Sequence, residues 1–232
     1  VFFVYFVVEN KILILGANGQ IGAQLKKTLS PLGKIKACTR QEANLENLDQ
    51  LKKLIQNYKP QIIANAAAYT AVDQAESEPI KAYRINSEAV AVIAQESKKL
   101  NALLVHYSTD YIFDGNQTEP YTETDQPNPQ SIYGKSKWKG EQAIKESGAE
   151  YLIFRTSWVY ASKGKNFVNT ILKLAKERKE LNIIDNQIGA PTTASLIAKI
   201  TAQAIEKKIQ SDTYNLTASG STSWHGFAKQ II

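Results

Sequence analysis

"KILILGANGQIG", residues 11–22, passes from an apolar run through a glycine-rich turn into a helical pattern. "KILILG" (11–16) has the length and composition of a buried strand. "QIGAQLKKTL" (20–29) repeats apolar residues at 21, 25 and 29, a helical spacing that Ser30-Pro31 ends. Between them stand Gly16, Gly19 and Gly22. The first permits a tight turn, the second a close backbone approach, the third close packing of helix on strand. The helix N-terminus adds free amides and the positive end of its dipole, so a pyrophosphate suits this turn. A glycine triplet alone also occurs in plain strand-to-helix turns. The order strand, turn, helix is what makes dinucleotide binding the stronger reading.

Outward from this turn, apolar strands alternate with helical patterns. Strands are expected at 34–38, 61–68, 102–110 and 151–157, separated by helices over 48–58, 79–100 and 133–146. Beyond residue 160 the pattern predicts a helix over 166–180, a short strand at 182–185, a helix over 193–209 and a strand at 213–217. "WHGFAKQII" (224–232) opens another helix. Such alternation predicts an α/β fold: a Rossmann-type, doubly wound parallel sheet with a smaller C-terminal region. Residues 11–160 read as the dinucleotide-binding part. Residues 161–232 read as a region interleaved with the sheet, its C-terminus incomplete. "VFFVYFVVEN" (1–10) is set apart as an atypical apolar leader, a non-native segment or an added strand.

Composition narrows the partners. The net charge is +6, but only four arginines are present and the lysines are spread over helical stretches such as "KLAKERKE" (173–180). That pattern is a solvated helix face rather than a nucleic-acid surface. The eight apolar residues at the start fall well short of the roughly 20 needed to span a bilayer, and they lack the flanks of a signal peptide. No membrane association is expected. Cys38 is the only cysteine, which excludes an internal disulfide and a cysteine-built metal site. His106 and His225 are too few and too scattered for a metal centre, and His106 reads as an ordinary strand residue.

The remaining motifs fall at strand ends, where ligands of open parallel sheets bind. Strand two ends in Thr39-Arg40, not in the acidic residue that would read a ribose 2′-hydroxyl. A guanidinium suits a 2′-phosphate, so Arg40 points to NADPH over NADH, although a surface arginine would look the same. "ANAAA" (64–68) offers small side chains, suited to a flat cofactor ring or to a helix packed above. "HYSTDY" (106–111) places Ser108 and Thr109 where they can hydrogen-bond a carbonyl, or simply cap a turn. "SIYGKSK" (131–137) sets Tyr133 and Lys137 four residues apart, on one face of a helix. A free phenol near pKa 10 is a poor proton donor at neutral pH, and a neighbouring ammonium is expected to lower that value.

With these residues assembled, the chain resembles the extended short-chain dehydrogenase/reductases, and more narrowly the dTDP-4-dehydrorhamnose reductase family. The resemblance runs from about residue 11 to the end. It rests on "ILGANGQIG", "NAAAYTAVDQAESEP", "HYSTDYIFDG", "YGKSKWKGE", "FRTSWVYA", "GKNF" and "LAKER…DNQIGAPT". It implies NADPH- or NADH-dependent reduction of the 4-keto group of dTDP-4-dehydro-L-rhamnose to dTDP-L-rhamnose, a cell-surface polysaccharide precursor, in the cytoplasm. By resemblance Tyr133 is the proton donor, Lys137 its partner, and Thr109 completes the triad. Gly16, Gly19, Gln20, Ile21, Gly22, Arg40, Ala68, Tyr69, Thr70 and Tyr107 join Tyr133 and Lys137 as cofactor contacts. Val72, Asp73, Ser108, Thr109, Asp110 and Trp158 match substrate positions. Asn44 stands where relatives often carry an acid near the adenine. A homodimer and a Mg2+ ion at a subunit interface are further expectations, the ion without a located site. The same resemblance implies that residues 11–160 are the NAD(P)-binding domain with its catalytic helix, that 161–232 are a substrate-binding region, and that about the last fifth of the family's length is missing. Two other functions fit the frame: a non-enzymatic regulatory subunit like the beta subunit of methionine adenosyltransferase, and another nucleotide-sugar epimerase or reductase.

Overall fold

The computed structural model describes residues 10–232, so the apolar leader, Asn10 excepted, lies outside the described residues. Five strands follow the expected order: β1 (Asn10–Leu15), β2 (Gly33–Cys38), β3 (Ile62–Asn65), β4 (Leu103–Thr109) and β5 (Tyr151–Thr156). Short pieces come after them: β6 (Val159–Tyr160), β7 (Ile188–Gly189), β8 (Thr192–Thr193), β9 (Asp212–Asn215) and β10 (Thr222–Ser223). The main sheet has the order β2-β1-β3-β4-β5-β9, and every pairing in it is parallel. The chain steps from β1 outward to β2 and then crosses back to β3 on the other side. Those two connections diverge at the carboxyl ends of β1 and β3, which opens a crevice there.

Alternation along the strands dictates which helices cover which face. Helices α1 (Gln20–Thr28), α2 (Leu48–Tyr58), α3 (Val72–Ser77), α4 (Pro79–Tyr83), α5 (Ala89–Leu100), α6 (Ile132–Ser147), α7 (Phe167–Glu177), α8 (Ala194–Glu206) and α9 (Trp224–Ile231) supply the layers. Leu13, Leu15, Ile63, Leu104 and Ile153 pack with Leu51 and Ile55 of α2, Ile93 of α5 and Ile144 of α6. Their neighbours Ile12, Ile14, Ala64, Val105 and Phe154 turn the other way, onto Leu25 of α1 and Ile197 of α8. Both faces are thus buried, the reason these strands read as continuous apolar runs. Burying each Leu or Ile contributes on the order of 1.5–3 kcal/mol.

Differences from the expected elements have local causes. The helix expected over 79–100 is helical throughout but contains a π-helical turn at Arg84–Glu88. The expected strand at 182–185 is absent. There the Ile184 carbonyl accepts from the His225 amide, and Asp185 accepts from the Ser223 hydroxyl, so α9 takes the pairing that a sheet edge would have needed. β3 ends at Asn65, leaving Ala66 to Ala68 as a loop above the sheet. β9, from the C-terminal part of the chain, forms an edge of the main sheet, and α8 covers one face of it.

The glycine turn shows why glycine stands at 16 and 22. Gly16 adopts φ +79°, and a Cβ there would lie 2.8 Å from the Ala66 carbonyl and the Ala67 amide nitrogen. A Cβ on Gly22 would run into the Gly16 carbonyl. Gly22→Ala is therefore expected to lower stability by about 1–3 kcal/mol through overpacking. Denaturant unfolding of the ligand-free protein measures it. An unchanged midpoint would mean that helix and turn can separate freely.

Candidate active site

α6 begins at Ser131, whose hydroxyl accepts from the Gly134 amide at 3.1 Å. Two glycines let the helix sit low: a Cβ on Gly134 would strike the Tyr111 carbonyl, and one on Gly140 the Asn86 carbonyl. Tyr133 and Lys137 share the face turned to the end of β4. Both are buried, with 9% and 2% of their surfaces exposed.

Together with the glycine turn they line one cleft of ≈ 650 Å³ at the carboxyl ends of the strands, within the range of small-molecule sites. The cleft brings together Gly16, Gly19, Gln20, Ile21, Arg40, Ala68, Thr70, Val72, Tyr107, Ser108, Thr109, Asp110, Tyr133, Lys137 and Trp158. Three expected residues stand apart from its lining. Gly22 packs behind the turn. Tyr69 turns its ring toward α4, its hydroxyl donating to Glu78 at 3.0 Å. Asp73 is exposed at the start of α3. Sequence reasoning passes over Asn18, Ile85, Tyr111, Thr156, Ser157 and Lys165, which also line it. Lys165 belongs to the "GKNF" motif, Tyr111 closes "HYSTDY", and Thr156 and Ser157 lie in "FRTSWVYA"; Ile85 carries no local signal.

Charge in the cleft is set mainly by burial. Desolvation pushes the Asp110 carboxyl up to about 6, against hydrogen bonds from the Thr109 hydroxyl, at 3.0 Å, and from backbone amides. Burial likewise holds the Tyr133 phenol well above its ordinary value, opposed by a hydrogen bond with Thr109 and reinforced by Asp110 and Tyr111. The net direction is thus upward, set by burial, and not the downward shift expected from a neighbouring ammonium. Lys137 Nζ donates to the Tyr107 carbonyl at 2.6 Å and lies 3.3 Å from His106 Nε2. Its ammonium is itself destabilised by burial, to about 8, with Glu141 acting the other way.

Arg40 lines the cleft's outer end and pairs with Glu46 while remaining 70% exposed. Ser108 Oγ and Thr156 Oγ1 are buried without a protein partner. Unpartnered buried hydroxyls are costly unless a ligand completes them. Trp158 holds φ +45°, and its indole stacks on that of Trp224 from α9 with centroids 3.5 Å apart. Among the described residues no group of three or more His, Cys, Asp or Glu is placed to hold a metal ion. No helix among them is long and apolar enough to cross a membrane.

The family described as "RmlD substrate binding domain" matches residues 10–232. A dTDP-4-dehydrorhamnose reductase from Burkholderia thailandensis is 47% identical over 230 residues, spanning 96% of this chain and 77% of that protein. The Escherichia coli K12 protein of the same name is 46% identical over 229 residues, with 95% and 77% covered. A Bacillus anthracis dTDP-4-dehydrorhamnose reductase, solved in complex with NADP, superposes with a TM-score of 0.92 at 40% identity, covering 97% of this chain and 80% of that one. On the strength of the match across the described chain and of these identities, the protein belongs to the RmlD, or dTDP-4-dehydrorhamnose reductase, family.

Proposed function

We propose that the chain reduces the 4-keto group of dTDP-4-dehydro-L-rhamnose with a nicotinamide dinucleotide, giving dTDP-L-rhamnose. The observation that carries this reading is one cleft holding the glycine turn at one end and Tyr133, Lys137 and Thr109 at the other. The cofactor suits the residues present. Gly16, Gly19, Gln20 and Ile21 line one end of the cleft, and α1 starts there at Gln20, with its N-terminal amides suited to a diphosphate. Ala68 and Thr70 flank the path toward Tyr133, and Ser108 and Thr156, whose buried hydroxyls lack a protein partner, line the same cleft. The dihydronicotinamide supplies the hydride when bound.

The protein's own part is to place the ketone and move one proton. Thr109 and Ser108 hold the ketone oxygen near Tyr133. A buried phenol stays protonated at neutral pH, so Tyr133 enters the reaction as the acid and gives its proton to the developing alkoxide. Lys137 then faces a phenolate, which its ammonium stabilises, and it orients the ribose. Val72, Asp110 and Trp158 are assigned to the sugar nucleotide. Outside the lining, Tyr69 is assigned beside the cofactor path and Asp73, at the start of α3, to the sugar end. Residues 11–160 act as the cofactor-binding part and 161–232 as the substrate part. A cytoplasmic homodimer is the setting proposed for the enzyme.

The test is oxidation of NADPH, followed by the loss of its near-ultraviolet absorbance, on adding dTDP-4-dehydro-L-rhamnose. Sugar-dependent oxidation is expected. NADPH bound without oxidation would favour a regulatory subunit, and oxidation only with a different ketosugar would favour another reductase.

Arg40 gives the preference for NADPH. Its guanidinium stands at the outer end of the cleft and can exchange Glu46 for a 2′-phosphate. Arg40→Ser should weaken NADPH binding about tenfold or more, the loss of one charge-assisted hydrogen bond. NADH affinity should barely change. Titration of both cofactors measures the ratio, and an equal loss for both would remove the role.

A further inference from the structure

The buried surroundings of Lys137 contain one group to which the reduction gives no role. His106 lies in the middle of β4 and is fully buried. Its Nε2 is 3.3 Å from Lys137 Nζ, and its Nδ1 is 3.2 Å from Asn65 Nδ2. Asn65, at the end of β3, is itself buried. β3 and β4 pair with Asn65 opposite His106, so sheet register brings the two side chains together.

Hydrogen-bond accounting constrains this cluster. Asn65 Oδ1 accepts from the Ala67 amide at 3.3 Å, which turns Nδ2 toward the imidazole. The ring then accepts at Nδ1 and carries its proton on Nε2, facing Lys137. Two hydrogens would meet there if the lysine were an ammonium, whereas a neutral amine can accept from Nε2. An ammonium instead needs the Nε2 lone pair, with the ring proton moved to Nδ1 and the Asn65 amide turned to present Oδ1. The Ala67 bond lost in that turn is long and correspondingly weak.

We propose that His106 is a positioning residue for Lys137: its neutral imidazole holds the lysine nitrogen through Nε2, and its tautomer follows the charge on that nitrogen. Without such an adaptable partner, one charge state of Lys137 would leave a buried donor or acceptor unmet. Burial and the neighbouring Lys137 both hold the ring in its neutral form. The other groups around Lys137 are accounted for. Glu141 lies one turn along α6 and pairs with Arg155 of β5. Tyr133 lies one turn back on α6. Asp110 and the Tyr107 carbonyl come from β4 and its end, and Tyr107's own hydroxyl is directed away, to Thr201 of α8. Of these, the Tyr107 carbonyl is bonded to Lys137 Nζ, and a carbonyl oxygen can only accept.

The proposal rests on the reductase reading for its effect on turnover but not for its first test. In ligand-free protein labelled with 15N-histidine, His225→Gln removes the only other imidazole. Ring-nitrogen resonances are then followed from about pH 6 to about pH 10. No imidazolium is expected at the low end. Nδ1–H should give way to Nε2–H across the titration of Lys137, and the change should vanish in Lys137→Met. One fixed tautomer throughout, or an imidazolium near pH 6, would overturn the proposal. In the kinetic arm, His106→Phe should move the alkaline limb of kcat/KM down by roughly one pH unit, the difference between a hydrogen bond to the ammonium and one to the neutral amine. His106→Gln, which keeps an amide able to donate or accept, should largely restore the limb. A loss equal at every pH in both variants would reduce the ring to packing and defeat the assignment.

Discussion

Tyr133→Phe is expected to lower kcat about 100- to 10,000-fold, the range general acid catalysis contributes, with the NADPH dissociation constant nearly unchanged. The ring is held independently of its hydroxyl, edge-on to Tyr111 with centroids 5.6 Å apart and packed in the main core. Phenylalanine therefore keeps the cleft's shape and removes only the proton and the bond with Thr109. The parent enzyme should lose kcat/KM above about pH 8, where Lys137 begins to shed its proton. The sign follows from the charge needed. The ammonium that stabilises a Tyr133 phenolate exists below the lysine's pKa and disappears above it. The macroscopic limb belongs to the Tyr133–Lys137 pair rather than to either residue alone. Steady-state kinetics with parallel cofactor titration separates the outcomes. If the Phe variant turned over at the parental rate, another group would be supplying the proton. If it failed to bind NADPH, the hydroxyl would be holding the cofactor instead.

Glu141→Ala is expected to destabilise the fold by about 3–5 kcal/mol, because it strands a buried arginine charge. Glu141 is fully buried on α6, and Arg155 of β5 is 3% exposed. The guanidinium contacts both carboxylate oxygens, with Arg155 Nη2 to Glu141 Oε2 at 2.8 Å. It also donates to the Glu123 carbonyl at 3.3 Å and lies over the rings of Phe113 and Trp138. β5, α6 and the loop before α6 thus meet at one charge. Replacing both partners by apolar residues of similar volume, as in Glu141→Leu with Arg155→Met, should cost much less than the single change, since no charge is stranded. Urea unfolding of the single and double variants tests this, and a double variant no better than Glu141→Ala would mean that the ion pair itself holds the sheet to α6. The same substitution also removes the charge that favours the Lys137 ammonium.

Much of the fold and of the site is legible in the amino-acid sequence. The strand-turn-helix at residues 11–28 and the Tyr133–Lys137 spacing depend only on backbone period and on neighbours along the chain. α2, Leu48–Tyr58, falls where its apolar repeat places it. Features that depend on competition for partners are not legible in this way. Residues 182–185 have the apolar content of a strand, but their polar groups pair with α9, and Tyr69 sits in a motif beside the cofactor path while its ring is drawn to Glu78.

The sequence by itself determined the doubly wound alternation, the glycine positions and the residue types of the Tyr133–Lys137 pair. These follow from side-chain period, from the positive φ at Gly16 and the close approach at Gly22, and from acid-base character. Tertiary structure alone decided that Asn65, His106 and Lys137 form one buried chain, that Glu141 neutralises Arg155, and that Trp158 stacks on Trp224. Each of those contacts joins residues far apart in sequence. They exist because strand register and helix packing bring the residues together, and because a polar group shut away from water must find its partner wherever the fold supplies one.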